Sequence, residues 1–115
     1  MGEQSWERVI EADALAEGKM HRCTVGNREV VLCRSREGLH ALDNICSHAF
    51  ARMNEGRLRG TRLICPLHGA SFDVRDGRVL GAPATQPLPC HQVRTVEGWI
   101  EVSVDPAAPR PLTPY

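Results

Sequence analysis

Cys46-Ser-His48 and Cys65-Pro-Leu-His68 are two short elements, each opening on a cysteine and closing on a histidine, with sixteen residues between them. Together they offer two thiolates and two imidazoles, a donor set for a soft or borderline transition metal. Tetrahedral zinc accepts two Cys and two His, but structural zinc usually takes them as a CxxC pair and a separate His pair, and here each loop is mixed. A two-iron, two-sulfur cluster needs two ligands per iron, and mixed loops allow each loop to give one Cys to one iron and one His to the other. Zinc ligation and a metal-free chance pairing are the other two readings of the same residues.

Four donors converge only if the chain brings their loops together. The 115 residues, 42% apolar and 24% charged, are enough for one ordinary globular domain. The sequence predicts short strands at 6–10, 21–25, 29–34, 39–44, 62–65, 71–74, 92–96 and 99–104, separated by tight-turn dipeptides Gly26-Asn27, Asp76-Gly77 and Glu97-Gly98. That spacing predicts an all-β antiparallel sandwich or barrel. Only 12–17 (ADALAE) has helix-forming composition, and Gly18 ends it. Residues 46–60 form a long excursion poor in strand formers, and 81–89 (GAPATQPLP) is a stiff segment with three prolines. A hairpin topology would supply the convergence, because Cys65 follows a strand that can pair back near Asn44.

Charge and compartment narrow the partners. Fourteen Lys plus Arg balance fourteen Asp plus Glu, so whole-chain charge gives no reason to expect nucleic acid or an anionic membrane. The first twenty residues hold five acidic groups and no signal-peptide core. The longest apolar run, 63–67, is far short of a membrane span. The chain reads as cytoplasmic, where thiols stay reduced and serve as ligands or buried small hydrophobes rather than disulfides.

The stretches CSHAFARMNEG at 46–56 and CPLHGASFDVRDGRV at 65–79 resemble the Rieske-type ferredoxins, the small electron carriers of multicomponent aromatic-ring dioxygenases. Pro66, Gly69, the Phe72-Asp73 step, the Asp76-Gly77 turn and Gly81-Ala82-Pro83-Ala84 extend the likeness beyond the ligands, over roughly residues 5–104. The resemblance implies a Rieske fold, an antiparallel base carrying an inserted cluster-binding subdomain at about 44–84. Residues 1–105 would be one domain and 106–115 a Pro-rich extended tail. It implies a [2Fe-2S] cluster with Cys46 and Cys65 on the inner iron and His48 and His68 on the outer, electron-accepting iron. Neutral imidazole favours Fe(II) more than a second thiolate pair does.

By the same resemblance, the chain is no enzyme. It carries single electrons from a flavin-dependent NAD(P)H reductase to a terminal Rieske non-haem-iron oxygenase. High-potential Rieske proteins add a disulfide between the two loops and Ser and Tyr hydroxyls beside the cluster; here those positions are Ala51, Leu67, Ala70 and Phe72. Without those donors the reduced cluster is less stabilised, which implies a potential near the bottom of the Rieske range, about −150 mV. The alternatives are the Rieske-like small subunit of an assimilatory nitrite reductase, a regulatory Rieske subunit and a non-redox zinc module.

The remaining candidates read more plainly. Between Cys46 and His68, four Arg (Arg52, Arg57, Arg59, Arg62) face one acid, Glu55, which predicts a basic tip and salt-sensitive docking to acidic partners. Cys23 and Cys33 read as buried small hydrophobes, Cys90 as exposed, and His21, His40 and His91 as surface or satisfied strand histidines. Trp6 and Trp99 read as core.

Overall fold

The computed structural model describes residues 5–46, 51–67 and 69–104. His48, His68 and the tail at 106–115 lie outside the described residues. No helix among the described residues is long and apolar enough to cross a membrane.

Among the described residues, ten short strands build two antiparallel sheets. The base contains β1 (Glu7–Glu11), β2 (Met20–Val25), β3 (Arg28–Ser35), β4 (Gly38–Asp43), β9 (Cys90–Val96) and β10 (Trp99–Ser103), in the spatial order β1-β10-β9-β4-β3-β2. The sheet curls until it is nearly closed. Across the remaining gap the Gly26 N–H, in the turn after β2, donates to the Glu7 carboxylate on β1 at 3.1 Å. The turns have the expected chemistry: Gly26 and Asn27 both take positive φ (57° and 69°), as a two-residue hairpin turn requires.

Between β4 and β9 the chain leaves the base and builds a second, four-stranded sheet. It contains β5 (Arg57–Arg59), β6 (Arg62–Ile64), β7 (Ser71–Asp73) and β8 (Val79–Gly81), paired in sequence order. This is the inserted subdomain on an antiparallel base that the sequence predicts.

β3 is the wall between two cores. Strand side chains alternate faces, so Val30 and Leu32 join Val25, Ala41, Ile100 and Val102 inside the base. Val31 and Cys33, on the other face, join Leu42, the inserted sheet's Leu63 and Phe72, and Met53 and Val74 beside that sheet. Cys46 and Cys65 are buried in this second core, so the apolar material around the thiols is also what fastens the inserted sheet to the base.

Three expectations change. The helix at 12–17 is only a 3-10 turn, Ala12–Ala14. Leu15 is drawn into the base core, and a six-residue segment is too short to sustain a helix by propensity. Strands β5 and β8 were not anticipated. Trp6 and Trp99 are not core residues: each is half-buried and faces a guanidinium, Arg94 at 4.0 Å from the Trp6 ring and Arg8 at 5.4 Å from the Trp99 ring. Glu101 lies between these cations, 2.7 Å from Arg94 and 3.7 Å from Arg8.

Candidate metal centre

Each cysteine begins a tight loop closed in the same way. The Cys46 N–H donates to the Ala51 carbonyl at 2.9 Å, and the Cys65 N–H donates to the Ala70 carbonyl at 2.7 Å. Both closing residues stand five positions beyond their cysteine, and both are buried beside the thiols. His48 and His68 belong by sequence to these loops, two and three positions after the cysteines.

The first loop springs from β4 and returns to a 3-10 turn, Met53–Glu55. Ile45 bridges Arg52, and the Met53 N–H donates to the Asn44 carbonyl at 2.6 Å. The fully buried Asn44 side chain donates to Glu29 Oε1 at 2.9 Å and to Asn54 Oδ1 at 2.8 Å. Arg52 and Arg22 reach the same Glu29 oxygen, at 3.1 and 3.3 Å. This cluster on β3 therefore grips the loop at its departure and its return.

The second loop joins β6 to β7. Gly56 lets β6 pass close, because a Cβ there would fall on the Ile64 carbonyl oxygen and crowd Pro66. Gly69 takes φ 75°, which only glycine adopts freely. At the end of β7, the Asp73 carboxylate accepts from Arg75 Nε at 3.0 Å and Nη2 at 2.7 Å and from Arg78 at 3.3 Å. The Leu88 N–H donates to the Gly77 carbonyl at 2.9 Å, and the Leu88 carbonyl abuts the glycine's α-carbon side, so the segment at 81–89 is drawn back over the subdomain. Ala84 and Leu88 pack into the same core as the thiols.

The two thiols are neighbours. Burial pushes the Cys65 thiol up to about 11; the Leu67 N–H donating to its sulfur at 3.4 Å acts the other way, and a hydrogen bond shared with Cys46 adds to the rise. Without metal the Cys65 sulfur is a thiol, so a metal must displace its proton on binding. Two buried, adjacent sulfurs with a backbone donor on one of them fit the two-thiolate end of a mixed-ligand iron–sulfur cluster. Among the described residues no third thiol, imidazole or carboxylate is placed to complete a metal site with them.

The other cysteines stand apart from this chemistry. Burial pushes the Cys33 thiol up to about 12 and the half-buried Cys23 thiol up to about 11, while Cys90 is exposed as the sequence predicts. His91 is buried and bonded to Asp43 at 2.7 Å, and His40 shares 2.8 Å with the Ser35 hydroxyl. The predicted basic tip divides in two. Arg52 is spent on Glu29 and Arg62 donates to the Ser71 hydroxyl at 2.8 Å, while Arg57 and Arg59 point their charge to solvent. The residues that sequence reasoning missed are Ala51, Ala70 and Asn44. Their signal, a common five-residue offset and an asparagine at a strand end, has no chemical colour of its own.

Known proteins place this geometry. Residues 5–92 match the Rieske [2Fe-2S] domain family. The ferredoxin component of the naphthalene 1,2-dioxygenase system of Pseudomonas aeruginosa is 37% identical over 95 residues, 83% of this chain and 90% of that one. The ferredoxin of carbazole 1,9a-dioxygenase from Nocardioides aromaticivorans IC177 superposes with a TM-score of 0.84 at 30% identity, over 88% of this chain and 99% of that one. A ferredoxin solved in complex with the oxygenase of carbazole 1,9a-dioxygenase gives 0.81 at 31% identity, over 85% of this chain and 92% of that one. With paired loops, adjacent buried thiols and these relatives, the chain belongs to the Rieske [2Fe-2S] family and its cofactor is a Rieske-type [2Fe-2S] cluster.

Proposed function

We propose that this chain is the ferredoxin component of an aromatic-ring dioxygenase system. It is a cytoplasmic, low-potential one-electron carrier that takes electrons from a flavin-dependent NAD(P)H reductase and gives them to a terminal Rieske oxygenase. The observation that carries this reading is the juxtaposition of the Cys46 and Cys65 thiols by two identically closed loops, in a chain whose relatives are dioxygenase ferredoxins along most of their length.

In this reading Cys46 and Cys65 ligate one iron and His48 and His68 the other, and the bound cluster supplies reversible one-electron chemistry. The protein's part is to hold and tune. The Leu67 N–H donates to the Cys65 sulfur, where it favours the extra negative charge of the reduced form. Ala70 and Phe72 offer no hydroxyl, which keeps the potential low. Leu67, 46% exposed, is the one large apolar side chain open to solvent among the described residues. It stands beside the second ligand loop, where a partner must approach for electron transfer. In the same reading residues 1–105 are one domain with its cluster-binding part at about 44–84.

Redox titration with EPR on the purified protein tests this reading. A mixed-ligand [2Fe-2S] signal titrating near the bottom of the Rieske range, about −150 mV, supports it. A potential above zero, or a colourless zinc protein, overturns it, as does failure to couple a reductase to an oxygenase in a reconstituted assay.

A further inference from the structure

Two edge strands border one groove on the flank of the protein. β5 is the outermost strand of the inserted sheet and β2 is the outermost strand of the base. Between β5 and the chain leading into β2 lies an open groove of about 520 Å³, lined by Gly18, Lys19, Gly56, Arg57, Leu58 and Arg59 among others. Three of these residues are cationic and no lining residue is acidic.

The cations are uncommitted. Arg57 and Arg59 are exposed and make no ion pair or side-chain hydrogen bond among the described residues, whereas Arg52 and Arg62 of the same excursion are both engaged. Two positions apart on a strand, Arg57 and Arg59 lie on one face, roughly 7 Å from each other along the chain. Like charges held side by side repel, and an anionic partner relieves that cost. Glycine at 18 leaves part of the groove without a side chain, and no strand covers the outer edge of β5 among the described residues.

The shape selects among anions. The groove is open rather than an enclosed pocket, which suits a segment of chain better than a single sequestered phosphate. No aromatic side chain lines it for base stacking, and the neutral whole-chain charge is unlike that of a nucleic-acid binder. An extended acidic polypeptide satisfies what remains, because its carboxylates can alternate at the spacing of Arg57 and Arg59 while its backbone runs along a free strand edge.

We propose that the groove bounded by Lys19, Arg57 and Arg59 docks an extended acidic segment of a redox partner. Calling the partner a redox protein rests on the electron-carrier reading; the binding chemistry does not. The site lies close to the centre by construction, since Arg57 pairs with Ile64, the residue before Cys65.

The test uses the cluster-loaded full chain and fluorescein-labelled octaglutamate, read by anisotropy at low ionic strength. Arg57→Gln, Arg59→Gln and Lys19→Gln are each expected to weaken binding about threefold. Arg57→Lys should retain it. Arg8→Gln on β1, which removes the same charge beside Glu97 and Glu101, should leave binding unchanged. Equal losses in all four Gln variants would reduce the effect to net charge and overturn the proposal, as would absence of binding. A labelled eight-thymidine strand bound as tightly through the same residues would assign the groove to nucleic acid instead. EPR of the same samples reports the carrier reading separately: peptide binding without a Rieske signal would sustain the groove and overturn the carrier.

Discussion

Asn44 and Asn54 hold each other twice. The Asn44 side-chain amide donates to Asn54 Oδ1, and the Asn54 backbone N–H donates back to Asn44 Oδ1, both at 2.8 Å. Ten residues apart, they pin the start of the first cluster loop to its end. Replacing Asn44 by Ala removes both contacts and the bond to Glu29 from a fully buried position. The expected cost is about 2–3 kcal/mol in urea unfolding, with a lower iron-to-protein ratio after purification. Wild-type stability and full iron loading in Asn44→Ala would show that the lock is dispensable.

A second prediction concerns acid. The guanidinium of Arg75, aided by Arg78 and the Arg75 N–H, holds the Asp73 carboxyl far below the usual carboxylate range despite its burial. A carboxyl whose folded pKa is depressed stabilises the fold fully above its unfolded pKa, about 3.9, and loses that contribution as pH falls toward the folded value. Asp73→Asn should therefore lower the urea midpoint at pH 7, and the gap from wild type should narrow as pH drops below about 4. A gap that is constant with pH would mean that packing, and not charge, is what Asp73 contributes.

Asp43 predicts a non-additive result. It accepts from Arg28 Nε at 2.6 Å and Nη2 at 2.8 Å and bonds His91 Nε2 at 2.7 Å, joining β3, β4 and β9 inside the protein. Breaking a buried pair strands the surviving charge, so Asp43→Leu should cost about 3–5 kcal/mol. Replacing both partners, Asp43→Leu with Arg28→Met, should recover much of that loss. The four corners of a double-mutant cycle in urea read the coupling directly.

Ligand removal should act on one half of the molecule. The inserted sheet consists of three-residue strands whose core contains both thiols, so Cys65→Ser or His68→Ala should lose the cluster and expose residues 44–84 to limited proteolysis. The six-stranded base, with its own core of Val30, Leu32, Ile100 and Val102, should survive as a protected fragment. Full protease resistance in the cluster-free variants would count against metal-coupled folding of the insert.

Sequence reached far here because mixed Cys and His spacing is chemically specific and because hairpin turns declare themselves. Eight of the ten strands were anticipated near their observed positions. The two missed ones show what spacing cannot carry. Arg57-Leu58-Arg59 has no β-branched residue and is a strand only because Leu63 and Ile64 pair with it; Val79-Leu80-Gly81 depends likewise on Ser71 and Phe72. The tryptophan reading failed although a signal was present. Ile100 and Val102 claim the inward parity of β10, which places Trp99 and Glu101 on the outer face. The pairing of Arg52 with Glu29 and the freedom of Arg57 and Arg59 depend on contacts across the fold, so a count of charges along the excursion could not separate them.

The placement of the two indoles divides the protein optically. Trp6 and Trp99, the only tryptophans in the chain, both sit on the base under guanidinium groups, while the proposed cluster ligands Cys46 and Cys65 are buried in the core beneath the inserted sheet. Ultraviolet emission and visible absorption thus observe different halves of one 12.7 kDa chain. If the insert melts before the base, a single thermal ramp recorded at both wavelengths will show two curves that do not superimpose, with bleaching first and the emission change after it.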